Sequence, residues 1–379
     1  ITYCTEEEGN TEKLRREILN CINEITETLC AKSGKSTDDI VRATVCGNTT
    51  MSHIFAGYSP ASLAFAPFAP AYTGTLHMKG NEAGLAMAPE GEVTLIPNIA
   101  GHIGGDITAG IAAARLTAAK GITVFIDIGT NGEIVLADGN KAFACSTAAG
   151  PALEGASIRC GMRAAPGAIE KIAIKDGEVF FRTVEGDDSG FTVPAGICGS
   201  GIIDAIAQML DARLIDESGR LAAADEAGEK GFDPRLGDRL TEIEGERVFV
   251  IVAGEGREDI VITQRDIREV QLVKGAIRAG VQLLLRSIGR EERDIDRVIV
   301  AGAFGNYIDK ESAVRIGLLP QVSTGKIILA GNTAGAGISM ALMSGREMEL
   351  AEGIPSVVEH VELAEKQEFQ DVYIGAMGF

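Results

Sequence analysis

The sequence predicts a layered α/β fold, because strand-like apolar runs alternate with helix-like segments and glycine stands where the strands end. One turn occurs twice: a strand-like run ends in Gly-Asn-Thr and continues as a helix, in TVCGNTTMSHIF (44–55) and ILAGNTAGAGISM (328–340). A third strand-to-helix turn is VIVAGAFGNYI (298–308). Ligands of such folds bind where strands end, so these turns are candidate sites.

Apolar spacing and end signals place the individual elements. Residues 9–31 repeat apolar side chains at three- and four-residue steps, which predicts a helix with one apolar face. Thr263 followed by Asp266 predicts a capping box at the start of a long helix that ends at Ser287. Residues 216–247 are polar without a clear period and predict a surface insertion. The other predicted elements are strands 40–46, 93–97, 297–301 and 326–330, hairpins 122–139 and 168–184, and helices 49–56, 107–119 and 201–214, with a turn over 331–337 followed by a helix to about residue 345.

Composition excludes several classes of protein. The 379 residues contain 35 Lys and Arg against 54 Asp and Glu, a net charge of -19, which argues against partners such as nucleic acid or an anionic membrane surface. Hydrophobic residues make up 45% of the chain, enough for a sizeable core. No apolar run is long enough for a membrane helix, and the start shows no signal-peptide pattern. Because the chain begins at Ile1 instead of Met, we expect it to be part of a longer protein.

The seven cysteines are scattered and contain no C-x-x-C pair, and the four histidines lack metal-ligand spacing. This pattern favours reduced thiols in the cytoplasm over a disulfide framework or a self-contained zinc or iron–sulfur site.

The strongest candidate site is the run FIDIGTNGEIVL (125–136). Its Asn131-Gly132 pair is a strong hairpin signal, and a hairpin alone is one interpretation. The functional interpretation uses the tip, where glycine lets backbone N–H groups approach phosphate oxygens. Asp127 ends an apolar strand, where an acid is costly unless it is paired or faces a metal, and it is a candidate to hold Mg²⁺ through water.

Other glycine-rich segments have both a structural and a functional interpretation. Asp106 precedes an alanine-rich helix, which predicts an N-cap, with a role in orienting water or magnesium beside Asp127 as the functional option. CSTAAGPALEG (145–155) and GICGSG (196–201) are either plain loops or anion-attracting helix starts. The turn at 302–306 has the same two interpretations. Lys274 is a snorkelling surface lysine by default and a nucleotide contact otherwise.

The order of these segments resembles the actin-like ATPase superfamily. LIPNIAGHIGGDITAGIAAARL precedes VFIDIGTNGEIVL, as an acid before an alanine-rich helix precedes a phosphate hairpin in that superfamily. VIVAGAFGNYI is similar to its adenosine-binding turn, with Ala303 in place of one glycine. The resemblance implies a two-lobed α/β fold, ribonuclease H-like, with nucleotide between the lobes.

More narrowly, DIGTNGEI, CSTAAGPALEG, GICGSGIIDAI and AGAFGNYI together resemble the reductive activators of corrinoid proteins. The resemblance covers nearly the whole chain and is weakest at 216–260. It implies an ATPase that couples ATP binding or hydrolysis to reduction of Co(II) corrinoid to Co(I) in a methyltransferase system. It also implies a corrinoid protein and an electron donor as partners, and a homodimer.

The resemblance assigns roles to individual residues. Asp106 and Asp127 are the expected catalytic acids, and Asp127 is the expected magnesium ligand through water. Apart from the resemblance, Ser146 and Thr147 lie in a small-residue loop that we expect on the partner-facing rim of the cleft, and the hypothesis is that either hydroxyl would reach the partner's cobalt. The expected ATP- or ADP-binding residues are Gly129, Thr130, Asn131, Gly132, Glu133, Gly150, Glu154, Gly199, Ser200, Gly201, Lys274, Gly302, Gly305 and Asn306.

Two features of that family are not found in this sequence. Its members carry a [2Fe-2S] domain and a first phosphate hairpin upstream of the matched region, so we expect this chain alone not to transfer electrons. The predicted organisation is a first lobe over 1–119, a second lobe over 120–330 with an insertion at 216–260, and a connecting helix with a tail over 331–379 that returns to the first lobe. A small-molecule kinase of the same superfamily and a non-catalytic actin-like scaffold or dimerisation module are the alternatives.

Overall fold

A computed structural model of the chain describes residues 1–139, 141–186, 192–254, 256–302, 307–363 and 367–379. The chain forms two compact units, each assembled from separate stretches. The first unit contains Ile1–Thr123, Ala137–Cys145 and Asn332–Val361. The second contains Val124–Leu136, Ser146–Gly331 and Glu362–Phe379.

Helices and strands alternate along much of the chain, as the sequence predicts. The helices are α1 (Thr2–Glu6), α2 (Asn10–Ser33), α3 (Thr49–Ala56), α4 (Gly80–Ala83), α5 (Gly105–Ala114), α6 (Gly199–Asp211), α7 (Ala227–Lys230), α8 (Pro234–Gly237), α9 (Gln264–Ser287), α10 (Lys310–Arg315), α11 (Thr333–Met343), α12 (Gly345–Gly353) and α13 (Phe369–Met377). The strands are β1 (Arg42–Val45), β2 (Leu76–Lys79), β3 (Glu92–Leu95), β4 (Ile122–Ile128), β5 (Gly132–Asp138), β6 (Lys141–Thr147), β7 (Ala168–Lys175), β8 (Glu178–Thr183), β9 (Gly196–Ile197), β10 (Leu240–Ile243), β11 (Glu246–Val252), β12 (Ile260–Thr263), β13 (Ile295–Ala301), β14 (Ile327–Gly331) and β15 (Val358–His360).

The first unit contains a three-stranded sheet of order β1-β3-β2, in which β1 runs parallel and β2 antiparallel to β3. Strand β15 pairs in parallel with β6, with Val358 opposite Ala142. A core cluster packs α2 and α3 against β3 through Leu19, Phe55, Val93 and Leu95. The repeated Gly-Asn-Thr turn caps helices in both of its copies, because Asn48 accepts from the Met51 N–H and Asn332 from the Gly335 N–H.

Helix α2 differs from the sequence prediction in the face that it buries. The predicted apolar stripe includes Ile18, Ile25 and Leu29, and all three are exposed. The buried side contains Leu19 and Cys30 instead. A periodic pattern predicts a helix correctly here, but it does not identify which side chains the neighbouring elements cover.

The second unit contains neighbouring strands in the order β14-β13-β4-β5, and the β13 and β14 pair is parallel. Two further sheets have the orders β8-β7-β9 and β10-β11-β12. Helix α9 begins with the predicted capping box, since Thr263 Oγ1 accepts from the Asp266 N–H and Asp266 accepts from the Thr263 N–H. This prediction is confirmed, and α9 buries its apolar stripe along its whole length.

The segment predicted as a surface insertion has internal structure. It contains α7, α8 and β10, and it buries Leu221, Phe232, Leu236 and Leu240. The sequence does not single out these buried side chains, because the elements are too short to show a period. Among the helices that the structure describes, none is both long and apolar enough to cross a membrane.

Candidate functional site

The candidate site is built around the hairpin of β4 and β5. Strand β4 is buried throughout except at Asp127, its second-last residue, which is half-buried. The tip between the strands closes with a hydrogen bond of 3.0 Å from the Gly129 N–H to the carbonyl oxygen of Asn131. The predicted hairpin is confirmed, and it leaves Asp127 and Gly129 at the end of a buried strand.

A cavity of about 420 Å³ lies in the second unit where this hairpin ends. That size is within the usual range for small-molecule sites. Six of the residues predicted from the sequence line it, and they come from four separate segments of the chain: Asp127, Gly129, Glu154, Gly199, Ser200 and Gly302. The remaining lining residues are Ile128, Leu153, Met162, Arg163, Ala164, Cys198 and Tyr307.

Gly302, which follows β13, packs directly against the end of β4. Its φ is 92°, and a Cβ there would lie 2.5 Å from the carbonyl oxygen of Ile128 and 2.6 Å from Oδ1 of Asp127. Both contacts are too short for any side chain, so only glycine allows this approach. Close packing of the two strand ends places Asp127 in the cavity wall beside Gly302.

The segment at 150–154 is fastened to the hairpin tip by two hydrogen bonds. The Gly150 N–H donates to the carbonyl oxygen of Thr130 over 2.8 Å. The Thr130 hydroxyl donates to Oε1 of Glu154 over 2.6 Å. Glu154 is half-buried and lines the cavity, whereas Thr130 is exposed and is not a lining residue.

The start of α6 forms another part of the cavity wall. Gly199 and Ser200 are its first two residues, and Cys198 precedes them. The Ser200 hydroxyl donates to the carbonyl oxygen of Glu170 over 3.0 Å, which anchors this end of the helix. First-turn N–H groups have no partner within a helix and carry partial positive charge, so this end favours an anion.

Charge in the cavity is divided between two acids and one cation. Of the described residues that line it, Asp127 and Glu154 are acidic, and Arg163 alone is a cation. The sequence prediction missed Arg163, and also the apolar or aromatic lining by Leu153, Met162 and Tyr307. The available signals were weak: Arg163 ends a stretch of small residues, and Tyr307 directly follows the glycine turn.

Several predicted residues are not among those that line the cavity. Gly132 packs against α9, where a Cβ would lie 2.9 Å from Cγ1 of Ile277. Asn131 is exposed at the tip, Glu133 is half-buried in β5, and Gly201 is buried inside α6. Gly305 and Asn306 lie outside the described residues.

The two residues predicted to face a partner both interact with the hairpin. The Thr147 side chain is 3% exposed, and its hydroxyl donates to the carbonyl oxygen of Gly132 over 3.0 Å. The Ser146 hydroxyl lies 3.5 Å from Oε1 of Glu133, and the residue is half-buried. This placement does not support a partner-facing role for Thr147, because its hydroxyl is already used inside the protein.

Lys274 is fully buried, so the prediction of a snorkelling surface lysine is wrong. Its ammonium group donates to the carbonyl oxygen of Gly378 and lies 5.2 Å from the centroid of the Phe379 ring. Burial lowers the pKa of Lys274 to about 8, and the neighbouring Arg278 guanidinium adds to the effect. Lys274 is not among the lining residues.

Gln271, one turn before Lys274, also holds the end of the chain, by donating to the carbonyl oxygen of Met377 over 3.1 Å. The Phe379 N–H donates to the carbonyl oxygen of Glu217 over 2.9 Å. We call Gln271, Lys274 and residues 377–379 the C-terminal clamp.

Asp106 belongs to the first unit, in the first turn of α5. The predicted N-cap role is wrong, because Gly104 is the N-cap and Oδ1 of Asp106 accepts from the N–H of Ile107 over 2.9 Å. Burial raises the pKa of Asp106. Its charge and burial together raise the pKa of the Cys46 thiol to about 12, with burial the larger cause.

The cavity suits a magnesium ion that a ligand brings with it. Within the described ranges, no group of three or more His, Cys, Asp or Glu side chains could hold a metal ion unaided. Magnesium usually needs only one or two carboxylates together with water and substrate phosphates. Asp127 in the cavity wall fits that requirement.

Comparison with known proteins gives matches along the whole chain. Residues 1–119 match the RACo middle region, and residues 121–379 match the C-terminal domain of RACo, the ASKHA domain. The chain is 38% identical over 377 residues to the corrinoid activation enzyme RamQ of Eubacterium limosum, which covers 99% of this chain and 62% of that protein. It is 29% identical over 315 residues to the [Co(II) methylated amine-specific corrinoid protein] reductase of Methanosarcina barkeri, over 76% of this chain and 52% of that protein.

A solved structure, a reductive activator for corrinoid, iron-sulfur protein, superposes with a TM-score of 0.87 at 37% identity. The match covers 100% of this chain and 59% of that one, so the chain spans less than two thirds of the length of each of these relatives. The chain belongs to the RACo family, as its middle region followed by the C-terminal ASKHA domain with the actin-like ATPase fold.

Proposed function

We propose that the cavity of the second unit binds ATP with Mg²⁺ and that the chain is the ATP-hydrolysing part of a reductive activator of corrinoid proteins. The observation that carries this proposal is the convergence of Asp127, Gly129, Glu154, Ser200 and Gly302 on one cavity. These residues come from segments far apart in the sequence, and the family to which the chain belongs is an ATPase family.

Each part of the wall has a chemical role in this proposal. Gly129 and the start of α6 offer backbone N–H groups to phosphate oxygens. Arg163 adds the positive charge that phosphate attracts. Asp127 would hold the magnesium ion through water, and the ion would supply charge neutralisation at the phosphates. Leu153 and Met162 offer apolar surface to the base.

The relatives named for corrinoid activation and reduction support a role in activating a corrinoid protein. Reduction of Co(II) to Co(I) is uphill from ordinary cellular donors, so nucleotide binding or hydrolysis must supply free energy through a change in partner affinity or conformation. We propose a corrinoid protein as the partner, with an electron donor, a second copy of the chain and a cytoplasmic location as further parts of the same model.

The test is to mix the 379-residue chain with Mg·ATP and measure binding by calorimetry and released phosphate by a coupled assay. We expect saturable binding and phosphate release, with release increasing when a corrinoid protein is added. Transfer of phosphate to a small molecule in place of release would contradict the proposal in favour of a kinase. Absence of nucleotide binding would contradict it altogether.

A further inference from the structure

The contact between Thr130 and Glu154 has a consequence for ligand recognition. At the hairpin tip, the Thr130 hydroxyl donates to Oε1 of Glu154 over 2.6 Å, and Glu154 lines the cavity. Its carbonyl oxygen also accepts from the Gly150 N–H over 2.8 Å. The tip and the 150–154 segment are therefore fixed to each other at both the main chain and the side chain.

A threonine hydroxyl has a single proton to donate. In this structure that proton is committed to a carboxylate, and a short bond to an ionised acceptor is among the stronger hydrogen bonds of proteins. Phosphate oxygens are acceptors, so the Thr130 hydroxyl cannot donate to phosphate while it holds Glu154. The expected nucleotide contact at Thr130 is therefore left to its backbone N–H, as the sequence prediction for the tip has it.

The chemistry of Glu154 also narrows what it recognises. An ionised carboxylate only accepts hydrogen bonds, and it repels phosphate. With Oε1 held by Thr130, Oε2 can still accept from a ligand, and the donors that a nucleotide carries besides its base are the ribose hydroxyls. A carboxylate at this position therefore fits the ribose of a nucleotide and does not fit its phosphates.

We propose that Glu154 recognises a ribose hydroxyl and that Thr130 is a positioning residue that fixes the Glu154 carboxylate for this contact. The inference rests on the proposed nucleotide site and adds to it a preference for ribonucleotides. A site built to bond a ligand hydroxyl discriminates strongly against the analogue that lacks it, because its own polar group is then left unpaired.

The experiment compares affinities for ATP, 2′-deoxy-ATP and 3′-deoxy-ATP, each with Mg²⁺, by calorimetry on the 379-residue chain. The wild type is expected to bind one deoxy analogue about 10- to 100-fold more weakly than ATP, the range for one hydrogen bond to a charged group. Glu154→Ala should remove this ratio of affinities, so that ATP and the deoxy analogue bind equally. Thr130→Val should remove most of it, and Thr130→Ser, which restores the hydroxyl, should keep it.

Thr241→Val is the matched control, because Thr241 is an exposed threonine on β10 of the same unit. It should leave the ratio at the wild-type value. A wild-type ratio in Thr130→Val, or loss of the ratio in Thr130→Ser, would overturn the positioning role. Equal binding of ATP and both analogues by the wild type would overturn the inference while leaving the nucleotide site intact, and absence of binding would remove both.

Discussion

The cavity and the C-terminal clamp are two regions of the second unit that place a charged group in apolar surroundings. In the cavity the charged group lines an open space, and in the clamp it is bonded within the protein. Asp127 stands half-buried in a cavity wall, backed by Gly302. Lys274 is fully buried and is satisfied by the end of the chain. Both were candidates for contact with nucleotide. The difference teaches that an ionisable residue in an apolar segment indicates a ligand only if it faces a cavity.

The two regions meet on helix α9. Ile277, which lies one turn beyond Lys274, packs against Gly132 of the hairpin. The clamp therefore contributes to the stability of the element behind the site without entering it. Mutations in the cavity should therefore change ATP turnover with little effect on the unfolding free energy, and mutations in the clamp should do the reverse.

The largest effect is expected for Asp127→Asn, which removes the charge and keeps the shape. Turnover of ATP should fall about 100-fold or more, the scale for losing one charge-stabilising group. The free energy of unfolding should change by less than about 1 kcal/mol. Phosphate release and urea unfolding measure the two quantities. Asp138→Asn, at the exposed far end of β5, is the control and should keep wild-type turnover.

Lys274→Ala should show the reverse. It removes a buried stem and leaves the Gly378 carbonyl without its donor, so we expect a loss of about 2–4 kcal/mol of unfolding free energy. Affinity for ATP, measured on the folded variant, should stay within about threefold of wild type, less than 1 kcal/mol. Arg286→Ala changes an exposed cation of the same helix and should cost under about 1 kcal/mol. A selective loss of ATP affinity in Lys274→Ala would restore that lysine to the site.

An effect of intermediate size is expected in the pH dependence of the unfolding free energy. Lys274 has an ordinary pKa of 10.5, and folding lowers it to about 8. Between these values the unfolded chain binds more protons than the folded chain, so the Lys274 contribution to unfolding free energy rises with pH. Below about pH 8 the full penalty of burying the charge remains. Urea unfolding of wild type and of Lys274→Met measures this across the pH window. The unfolding free energy of the wild type should rise with pH relative to that of the variant. A pH-independent difference between the two free energies would refute the shifted pKa.

Phe379→Leu should have the smallest effect. It removes the ring that lies 5.2 Å from the Lys274 ammonium. Cation–π contacts of this kind contribute about 0.5–1 kcal/mol, and thermal unfolding can resolve that loss. Phe180→Leu, at an exposed ring of the same unit, is the comparison and should cost less. An equal loss in the two variants would show that the Lys274 contact adds nothing beyond apolar area.

Local signals predicted the elements well. The Thr263 and Asp266 pair fixed the start of α9, and Asn131-Gly132 fixed the hairpin, because both are backbone patterns satisfied within a few residues. Signals that depend on neighbours failed. Ile25 of α2 is 61% exposed in spite of its apolar period, and Lys274 is buried in spite of its charge.

The candidate site was predictable only in part. Glycine and acid motifs pointed to Asp127, Glu154, Ser200 and Gly302, which all line the cavity, because ligands of α/β folds bind where strands end. Arg163 lies in no motif, and Tyr307 stands near the end of AGAFGNYI, where the sequence drew attention only to the glycines and Asn306. The place of both side chains in the wall depends on how distant segments pack. The hydrogen bond from Thr130 to Glu154 joins residues 24 positions apart and could not be derived from spacing.

The most direct test of the central claim is hydrogen exchange of the 379-residue chain with and without saturating Mg·ADP. If nucleotide binds in the cavity, exchange should slow in the amides of 129–133, 150–154 and 199–201, with no change at 377–379 and along the clamp face of α9. Unchanged exchange in those three segments, or protection confined to the C-terminal clamp, would contradict it.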